Sequence, residues 1–175
     1  YQISRARRYD SRMGLSHLLD YTKTDFCNMP FKDGEYDGAY AIEATCHATD
    51  KVKCYSEIFR VLKPGARFVC YEWVMTSKYD NKNAVHNKCK HEIELGDGLP
   101  DLETGEMVVA AMEKSGFVVE DAFDAVEFAE QNRLGIHWIT GVDEVFGSAD
   151  RQVVHHFQAT GDDAGGDDVA HRTTG

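Results

Sequence analysis

The most informative segment of this chain is Tyr36-Asp37-Gly38-Ala39-Tyr40-Ala41-Ile42-Glu43-Ala44-Thr45-Cys46-His47. Its first part, residues 38 to 42, is short and apolar and lies between turn-forming residues. This pattern predicts a strand of a parallel sheet that is covered on both faces. Polar residues follow the strand at once, namely Glu43, Cys46 and His47. Because ligands of open α/β sheets bind at the carboxyl ends of strands, these residues are site candidates by position.

Apolar patterns of strand and helix type alternate along the rest of the chain. Helices are predicted at residues 2–13, 50–62, 84–95 and 102–115, and strands at residues 17–22, 66–74 and 117–123. This alternation predicts an α/β fold with a mostly parallel sheet. Residues 151 to 159 are compatible with an edge strand. Residues 161 to 175 hold four Gly and four Asp, a composition that predicts disorder.

Composition limits the classes of function. The 175 residues are enough for one domain with a core, and 30 acidic against 19 basic residues give a net charge of −11. This charge argues against a nucleic-acid partner. The five cysteines are an odd number, and some lie in apolar strand or helix patterns, which is typical of a reduced, intracellular protein. No apolar run approaches the length of a membrane span.

Five motifs carry a resemblance to a known family. They are Tyr40-Ala-Ile-Glu43-Ala-Thr-Cys-His47-Ala, Tyr55-Ser-Glu-Ile, Leu62-Lys-Pro-Gly65, Tyr71-Glu-Trp-Val-Met-Thr76 and His91-Glu-Ile-Glu-Leu-Gly-Asp-Gly98. Together they resemble the sterol 24-C-methyltransferases, and the first and fourth motifs are the most specific. The resemblance implies a Rossmann-like class I methyltransferase fold that uses S-adenosylmethionine. It assigns residues 1–140 to a partial methyltransferase domain and residues 141–175 to a non-matching, largely disordered tail.

One departure from the family concerns the start of the chain. The family's Gly-rich loop, which follows its first strand, has no counterpart here, and Tyr1 corresponds to a point after it. We therefore expect an N-terminally truncated fragment in which the first strands of the sheet are missing. A strand beside such a gap would expose an apolar edge, so we expect marginal stability and aggregation.

The resemblance implies which residues bind the cofactor. Asp25 would accept from the adenine amino group, and the backbone N–H of Phe26 would meet the adenine ring. Ile42, Glu43 and Ala44 would lie beside the sulfonium. The alternatives are that Asp25 caps its own loop and that Glu43 caps the following turn.

The resemblance also implies catalytic roles. Glu43 would stabilise the carbocation that forms when the sterol alkene takes the methyl group. His47 would remove the final proton, and Tyr40 would offer its ring face to a cation. The alternatives are that His47 bonds a neighbouring loop and that Tyr40 belongs to the core.

A second set of candidates, Tyr71, Glu72 and Trp73, ends the next predicted strand and would line the substrate pocket. Strand alternation places Tyr71 and Trp73 on one face and Glu72 on the other. Ordinary sheet packing is the alternative for these residues.

No metal site is expected. His86, Cys89 and His91 have tolerable spacing, but the sequence has none of the paired-cysteine knuckles that are typical of structural zinc. Cys46 is not expected to be a nucleophile, because no base with an orienting partner is evident beside it.

The implied function is methyl transfer from S-adenosylmethionine to C24 of a Δ24-sterol side chain in sterol biosynthesis. The alternatives are a catalytically dead truncated chain and a class I methyltransferase that acts on another small molecule. Because sterols reside in membranes, we expect peripheral contact with the endoplasmic reticulum or another internal membrane. The oligomeric state, a homo-oligomer included, stays open.

Overall fold

The computed structural model describes residues 1 to 125, residue 128 and residues 150 to 159. The elements in chain order are α1 (Gln2–Met13), β1 (Tyr36–Ile42), a single 3-10 turn (Thr45–His47), α2 (Lys51–Val61), β2 (Leu62–Met75), α3 (Ala84–Asp97), α4 (Gly105–Lys114), β3 (Phe117–Asp124) and β4 (Asp150–Ala159). The four predicted helices and the strands predicted at 66–74 and 117–123 are confirmed, with small shifts at their ends. None of the helices in these ranges has the length and apolarity that a membrane crossing requires.

The helix ends follow from local chemistry. The Asp50 carboxylate accepts the N–H of Lys53 at 2.9 Å, and the Asn83 side chain accepts the N–H of Val85 at 2.9 Å. These are N-cap bonds of α2 and α3, and they satisfy donors that lack partners inside the helix. Gly14 ends α1 in the left-handed conformation, with φ 72.

The four strands form one sheet in the order β1-β2-β4-β3. β1 pairs with β2 in parallel, and β4 is antiparallel to both of its neighbours. β1, β2 and β3 therefore run in one direction, and their last residues meet at one edge, which we call the carboxyl edge. Residues 151–159, which the sequence leaves compatible with an edge strand, form part of β4, and β4 is not at the edge of the described sheet, because it pairs on both sides. Asp150–Ala159 lies within the segment predicted to be a largely disordered tail and is a strand there, and residues 160–175 lie outside the described ranges.

One face of the sheet is covered by α2 and α4. Strand alternation places Phe68 and Cys70 of β2 on this face, where both are almost completely buried. They pack with apolar residues of both helices in a continuous main core, which includes Cys54, Tyr55, Ile58, Val74, Val108, Met112 and Phe117. This packing fixes β2, and with it the carboxyl edge.

The other face of β1 is open. Tyr40 is 79% exposed and Ile42 is 63% exposed. The expectation that β1 is covered on both faces is therefore wrong, because α2 and α4 lie on the opposite face and the described ranges contain no strand beside its second edge. The expected exposure of apolar residues along this strand is confirmed.

Residues 17 to 22 were expected to form a strand, and this prediction is wrong. The structure has a turn and an extended loop there. A strand needs a neighbour that satisfies its backbone groups, and the described part of the sheet offers none here. The backbone of Tyr21 is bonded by side chains instead: its carbonyl accepts from Arg7 at 3.5 Å, and its N–H donates to Asp20 at 2.8 Å.

An ion pair on α2 attaches the loop that precedes β1. Glu57 bonds to Arg60 and accepts the N–H of Met29 at 2.8 Å. Arg60 also donates to the carbonyl groups of Met29 and Phe31, at 3.0 and 2.8 Å. The hydrogen bonds from Arg60, more than that from Met29, lower the pKa of Glu57 from 4.5 to about 2.

We expect Glu57→Gln to reduce the free energy of unfolding at pH 7 and to have little effect near pH 2. The folded-state pKa of Glu57 is depressed, so its stabilisation is complete above about pH 4.5 and is lost as the pH falls towards 2. Urea unfolding of both proteins between these pH values measures the difference. Glu113→Gln, at an exposed carboxylate on α4, is the control. A loss of stability that does not vary with pH would contradict the prediction.

Candidate active site at the carboxyl edge

The last residues of β1 and β2 lie side by side at the carboxyl edge. Ile42 pairs with Tyr71, and the N–H of Glu43 donates to the Tyr71 carbonyl at 2.7 Å. Glu43 has φ 48, and within the described ranges it is the only residue other than glycine with a positive φ. A left-handed conformation costs a side-chain-bearing residue about 1 to 2 kcal/mol. Neighbouring contacts must therefore hold this residue in place.

The buried carboxylate of Glu72 holds the loop that follows Glu43. Its Oε1 accepts the N–H of Ala44 at 3.2 Å, the N–H of Thr45 at 2.9 Å and the Thr45 hydroxyl at 2.8 Å, and its Oε2 accepts the N–H of Cys46 at 3.1 Å. Glu72 is 1% exposed. The predicted alternation is confirmed, but the prediction that Glu72 binds substrate is wrong, because its carboxylate is buried and engaged by the loop.

Lys51 holds the other end of the same loop. Its Nζ donates to the carbonyl groups of Cys46 and Ala48, at 2.9 and 2.8 Å, and the side chain is buried. Thr45 adds a link to α2, since its hydroxyl lies 3.2 Å from the hydroxyl of Tyr55. The loop is thus bonded to β2 at its start and to α2 at its end.

The charges of two carboxylates act on Tyr71 at the carboxyl edge. Burial, followed by the nearby charges of Glu43 and Asp124, raises the pKa of Tyr71 to about 12. The phenol is therefore neutral at physiological pH. We call Glu43, Tyr71 and Asp124 the acidic rim, because the first and last of them bring negative charge to one phenol.

A groove of about 440 Å³ runs along β1 and reaches the start of the loop. Four of the residues predicted from the sequence line it: Phe26, Tyr40, Ile42 and Ala44. The remaining lining is mostly apolar. The volume is within the range of small-molecule sites. The structure thus brings Phe26, from the loop before β1, and Ile42 and Ala44, from the end of β1 and the loop after it, to one surface. Tyr40 is exposed, so the alternative that it is a core residue is wrong.

Asp25 and His47 are both exposed. The Asp25 Oδ1 accepts the N–H of Cys27 at 2.8 Å, and its carbonyl accepts the N–H of Asn28 at 3.0 Å. Asp25 therefore caps its own loop, as the alternative interpretation held, and its second carboxylate oxygen takes no part in that bond. His47 ends the 3-10 turn, and its N–H donates to the carbonyl of Ala44 at 3.2 Å.

Trp73 packs beside the site in a second hydrophobic cluster. The buried members of this cluster are Cys46, Met75, Leu99 and Leu102, and Trp73 is partly buried against them. The cluster joins the loop after β1 to the end of β2 and to the segment after α3. Trp73 therefore contributes to packing as well as to the surface beside the acidic rim.

Several features of this site are not evident from the sequence. The sequence does not predict the roles of Lys51 and Asp124, and Glu72 holds the loop rather than a substrate. One signal of the role of Glu72 was available: it is a single carboxylate inside an otherwise mostly apolar strand. A carboxylate is buried in such a strand only when it has hydrogen-bond partners. A further cavity of about 590 Å³ between the ends of β2 and β3 and the start of α4, lined among others by Met75 and Phe123, was also not anticipated. Among the described residues, no three His, Cys, Asp or Glu side chains are grouped so that they could hold a metal ion.

A family described as a methyltransferase domain matches residues 1 to 70. Cycloartenol-C-24-methyltransferase 1 of Oryza sativa subsp. japonica is 50% identical over 119 residues, which cover 68% of this chain and 35% of the rice protein. The sterol 24-C-methyltransferase of Saccharomyces cerevisiae is 48% identical over 119 residues, which cover 68% of this chain and 31% of the yeast protein.

Over about two thirds of its length, this chain belongs to the sterol 24-C-methyltransferase family. The chain spans about a third of the length of the relatives it matches. Methyltransferase phqN of Penicillium fellutanum is also 48% identical, over 118 residues that cover 67% of this chain and 36% of the fungal protein.

A solved structure with a similar fold is geranyl diphosphate C-methyltransferase from Streptomyces coelicolor A3(2), in complex with Mg²⁺, geranyl diphosphate and S-adenosyl-L-homocysteine. The TM-score is 0.70 at 16% identity, and the match covers 88% of this chain and 58% of that chain. This likeness concerns the fold alone. It confirms the predicted Rossmann-like class I methyltransferase fold for this member of the sterol 24-C-methyltransferase family.

We expect Cys46 of this family member to be inert towards thiol reagents in the folded state. Burial raises the pKa of Cys46 to about 12, and burial also raises the pKa values of Cys54 and Cys70. Iodoacetamide at pH 8, followed by mass spectrometry, should modify the half-buried Cys89 and Cys27 first. In denaturant all five cysteines should react. Native-state modification of Cys46 as fast as that of Cys89 would contradict this expectation.

Proposed function

We propose that this site belongs to an S-adenosylmethionine-dependent C-methyltransferase that alkylates C24 of a Δ24-sterol side chain. The proposal rests on the placement of Glu43 at the carboxyl edge, where its N–H donates to the Tyr71 carbonyl, in a chain that is 48 to 50% identical over 119 residues to named C24-methyltransferases of sterols. Alkylation of an alkene by a sulfonium involves positive charge in both the donor and the product of the first step. Fixed carboxylates stabilise such charge where it develops.

The residues of this chain suit the cofactor. Bound S-adenosylmethionine supplies an electrophilic methyl group on a positively charged sulfur. The groove along β1 offers an apolar surface from Phe26 and a nearby backbone at Ile42 and Ala44. Asp25 adds an exposed carboxylate in the same loop as Phe26, and this carboxylate is complementary to the adenine amino group. The role of Glu43 is to hold the cationic end of the bound molecule at the carboxyl edge.

The substrate side of the proposal uses the face of the sheet on which Tyr40 is exposed. Tyr71 and Trp73 of the neighbouring strand belong to the same face and are partly buried. Aromatic rings of this kind offer apolar contact to a rigid ring system and a negative ring face to a developing cation. His47, exposed at the end of the 3-10 turn, is the proposed acceptor of the final proton.

The proposed substrate also bears on location. Sterols partition into membranes, so we infer that the protein is intracellular and contacts the endoplasmic reticulum or another internal membrane from its surface.

A second candidate is a class I methyltransferase that acts on a different small molecule. Methyltransferase phqN is also 48% identical and its name states no acceptor, so identity of this degree does not by itself decide the acceptor. An acidic rim would serve either acceptor equally well. Only product analysis with several acceptors separates the two.

The test of this function is a chimera in which the aligned 119-residue segment of the Saccharomyces relative is replaced by that of this chain. We expect the chimera to methylate a Δ24-sterol at C24 and to leave geranyl diphosphate unchanged. Glu43→Gln in the chimera should lower the rate constant by about 100-fold, since one electrostatic group is removed. A folded chimera that binds S-adenosylhomocysteine but alkylates no Δ24-sterol would overturn the proposal.

We expect Asp25→Ala to weaken binding of S-adenosylhomocysteine to this chain by at least about tenfold, because an adenine acceptor is lost. Asp25→Asn is the matched control, since its side-chain oxygen still accepts the N–H of Cys27 and should retain more of the affinity. Calorimetric titration measures all three proteins. Equal affinity in the wild type and the alanine variant would exclude the adenine contact. An absence of binding in the wild type would favour the catalytically dead alternative for this chain.

A further inference from the structure

We propose that Glu72 and Lys51 form a positioning pair that fixes the loop from Glu43 to Ala48, and thereby sets the affinity of the site for its cofactor. The inference deepens the proposed function and rests on it. Neither residue touches the β1 groove. Both act through the backbone of the loop, as positioning residues.

Several hydrogen-bond donors of the loop converge on Glu72. Three consecutive backbone N–H groups, those of Ala44, Thr45 and Cys46, point at one carboxylate. Successive amides converge on an anion only when the loop has one particular conformation. A buried carboxylate without such partners is strongly unfavourable, so the strand residue and the loop conformation depend on each other.

Lys51 binds the opposite end of the turn. Its ammonium group donates to the carbonyl groups of Cys46 and Ala48, at the end of the turn opposite to Glu72. A carboxylate at the amino end and an ammonium at the carboxyl end match the direction of the backbone dipoles. Because β2 supplies one group and α2 the other, the loop is fixed between two elements of the main core.

The bonds of this pair also fix the site residue Glu43. Glu43 lies between two fixed points, since its own N–H bonds to Tyr71 and the next N–H bonds to Glu72. This arrangement holds Glu43 at φ 48. The loop backbone at Ala44, which borders the groove, is fixed by the same bonds. A loop that lost them would have to be ordered again when a ligand binds, at a cost in affinity.

The test uses the full chain and the variants Glu72→Gln, Glu72→Asp and Lys51→Met. A glutamine amide cannot accept from all the donors, because its NH₂ group would face a backbone N–H. We expect Glu72→Gln to bind S-adenosylhomocysteine at least about tenfold more weakly. Glu72→Asp should lie between it and the wild type, and Lys51→Met should show a smaller loss in the same direction. Amide exchange by NMR should be faster at residues 44 to 46, with α4 unchanged.

Val108→Ala is the control, because it weakens the main core at α4 and removes none of the hydrogen bonds that Glu72 and Lys51 make to the loop. At a temperature where every variant is folded, it should keep both the affinity and the exchange rates of the loop. Wild-type affinity and loop protection in Glu72→Gln would overturn the inference. If Glu72→Gln does not fold, Lys51→Met decides by the same two readouts. If the wild type does not bind S-adenosylhomocysteine, the proposed function fails for this chain, and the claim that the pair sets cofactor affinity fails with it.

Discussion

The structure depends on one buried carboxylate, that of Glu72. A carboxylate placed in a protein core without partners loses several kcal/mol of hydration, an amount comparable to the whole stability of a small domain. The loop after β1 offsets this cost with the N–H groups of Ala44, Thr45 and Cys46 and the hydroxyl of Thr45. The same bonds prevent the loop from relaxing into an ordinary turn. The stability of the sheet and the geometry of the site therefore both depend on Glu72.

The site lies at a boundary between a well-packed and an open part of the molecule. α2, α4 and the covered face of β2 form the main core, whereas Tyr40 and Ile42 on β1 are largely exposed. A ligand site needs both properties, because fixed backbone groups require a rigid support and a ligand requires accessible surface. The register of Ile42 with Tyr71 brings the two parts together at the carboxyl edge.

Much of this could be predicted from local sequence patterns. Residues 50 to 74 specify a cap, a helix and a buried strand, and all three are present. Alternation correctly separated Glu72 from Tyr71 and Trp73, but it could not show which face is packed, because both faces of this strand are apolar in sequence. The strand prediction for residues 17–22 fails, and the position of β4 within the sheet is not predictable, for one reason. A strand is stable only when it pairs with other strands, which are often distant in sequence, and the pattern of one segment does not identify those strands. The exposure of Tyr40 depends on neighbours in the same way.

Two glutamates, Glu43 after β1 and Glu72 on the adjacent strand β2, lie close together at the carboxyl edge and have different roles. The carboxylate of Glu72 is buried and accepts hydrogen bonds from the donors of the loop. Glu43 is exposed and acts, with Asp124, on Tyr71 at the rim. Environment alone separates the two roles, since the side chains are chemically identical. A cation at the carboxyl edge would thus meet the charge of Glu43 in a position that Glu72 fixes through the loop. The site therefore depends on the buried carboxylate of Glu72 as much as on the exposed carboxylate of Glu43.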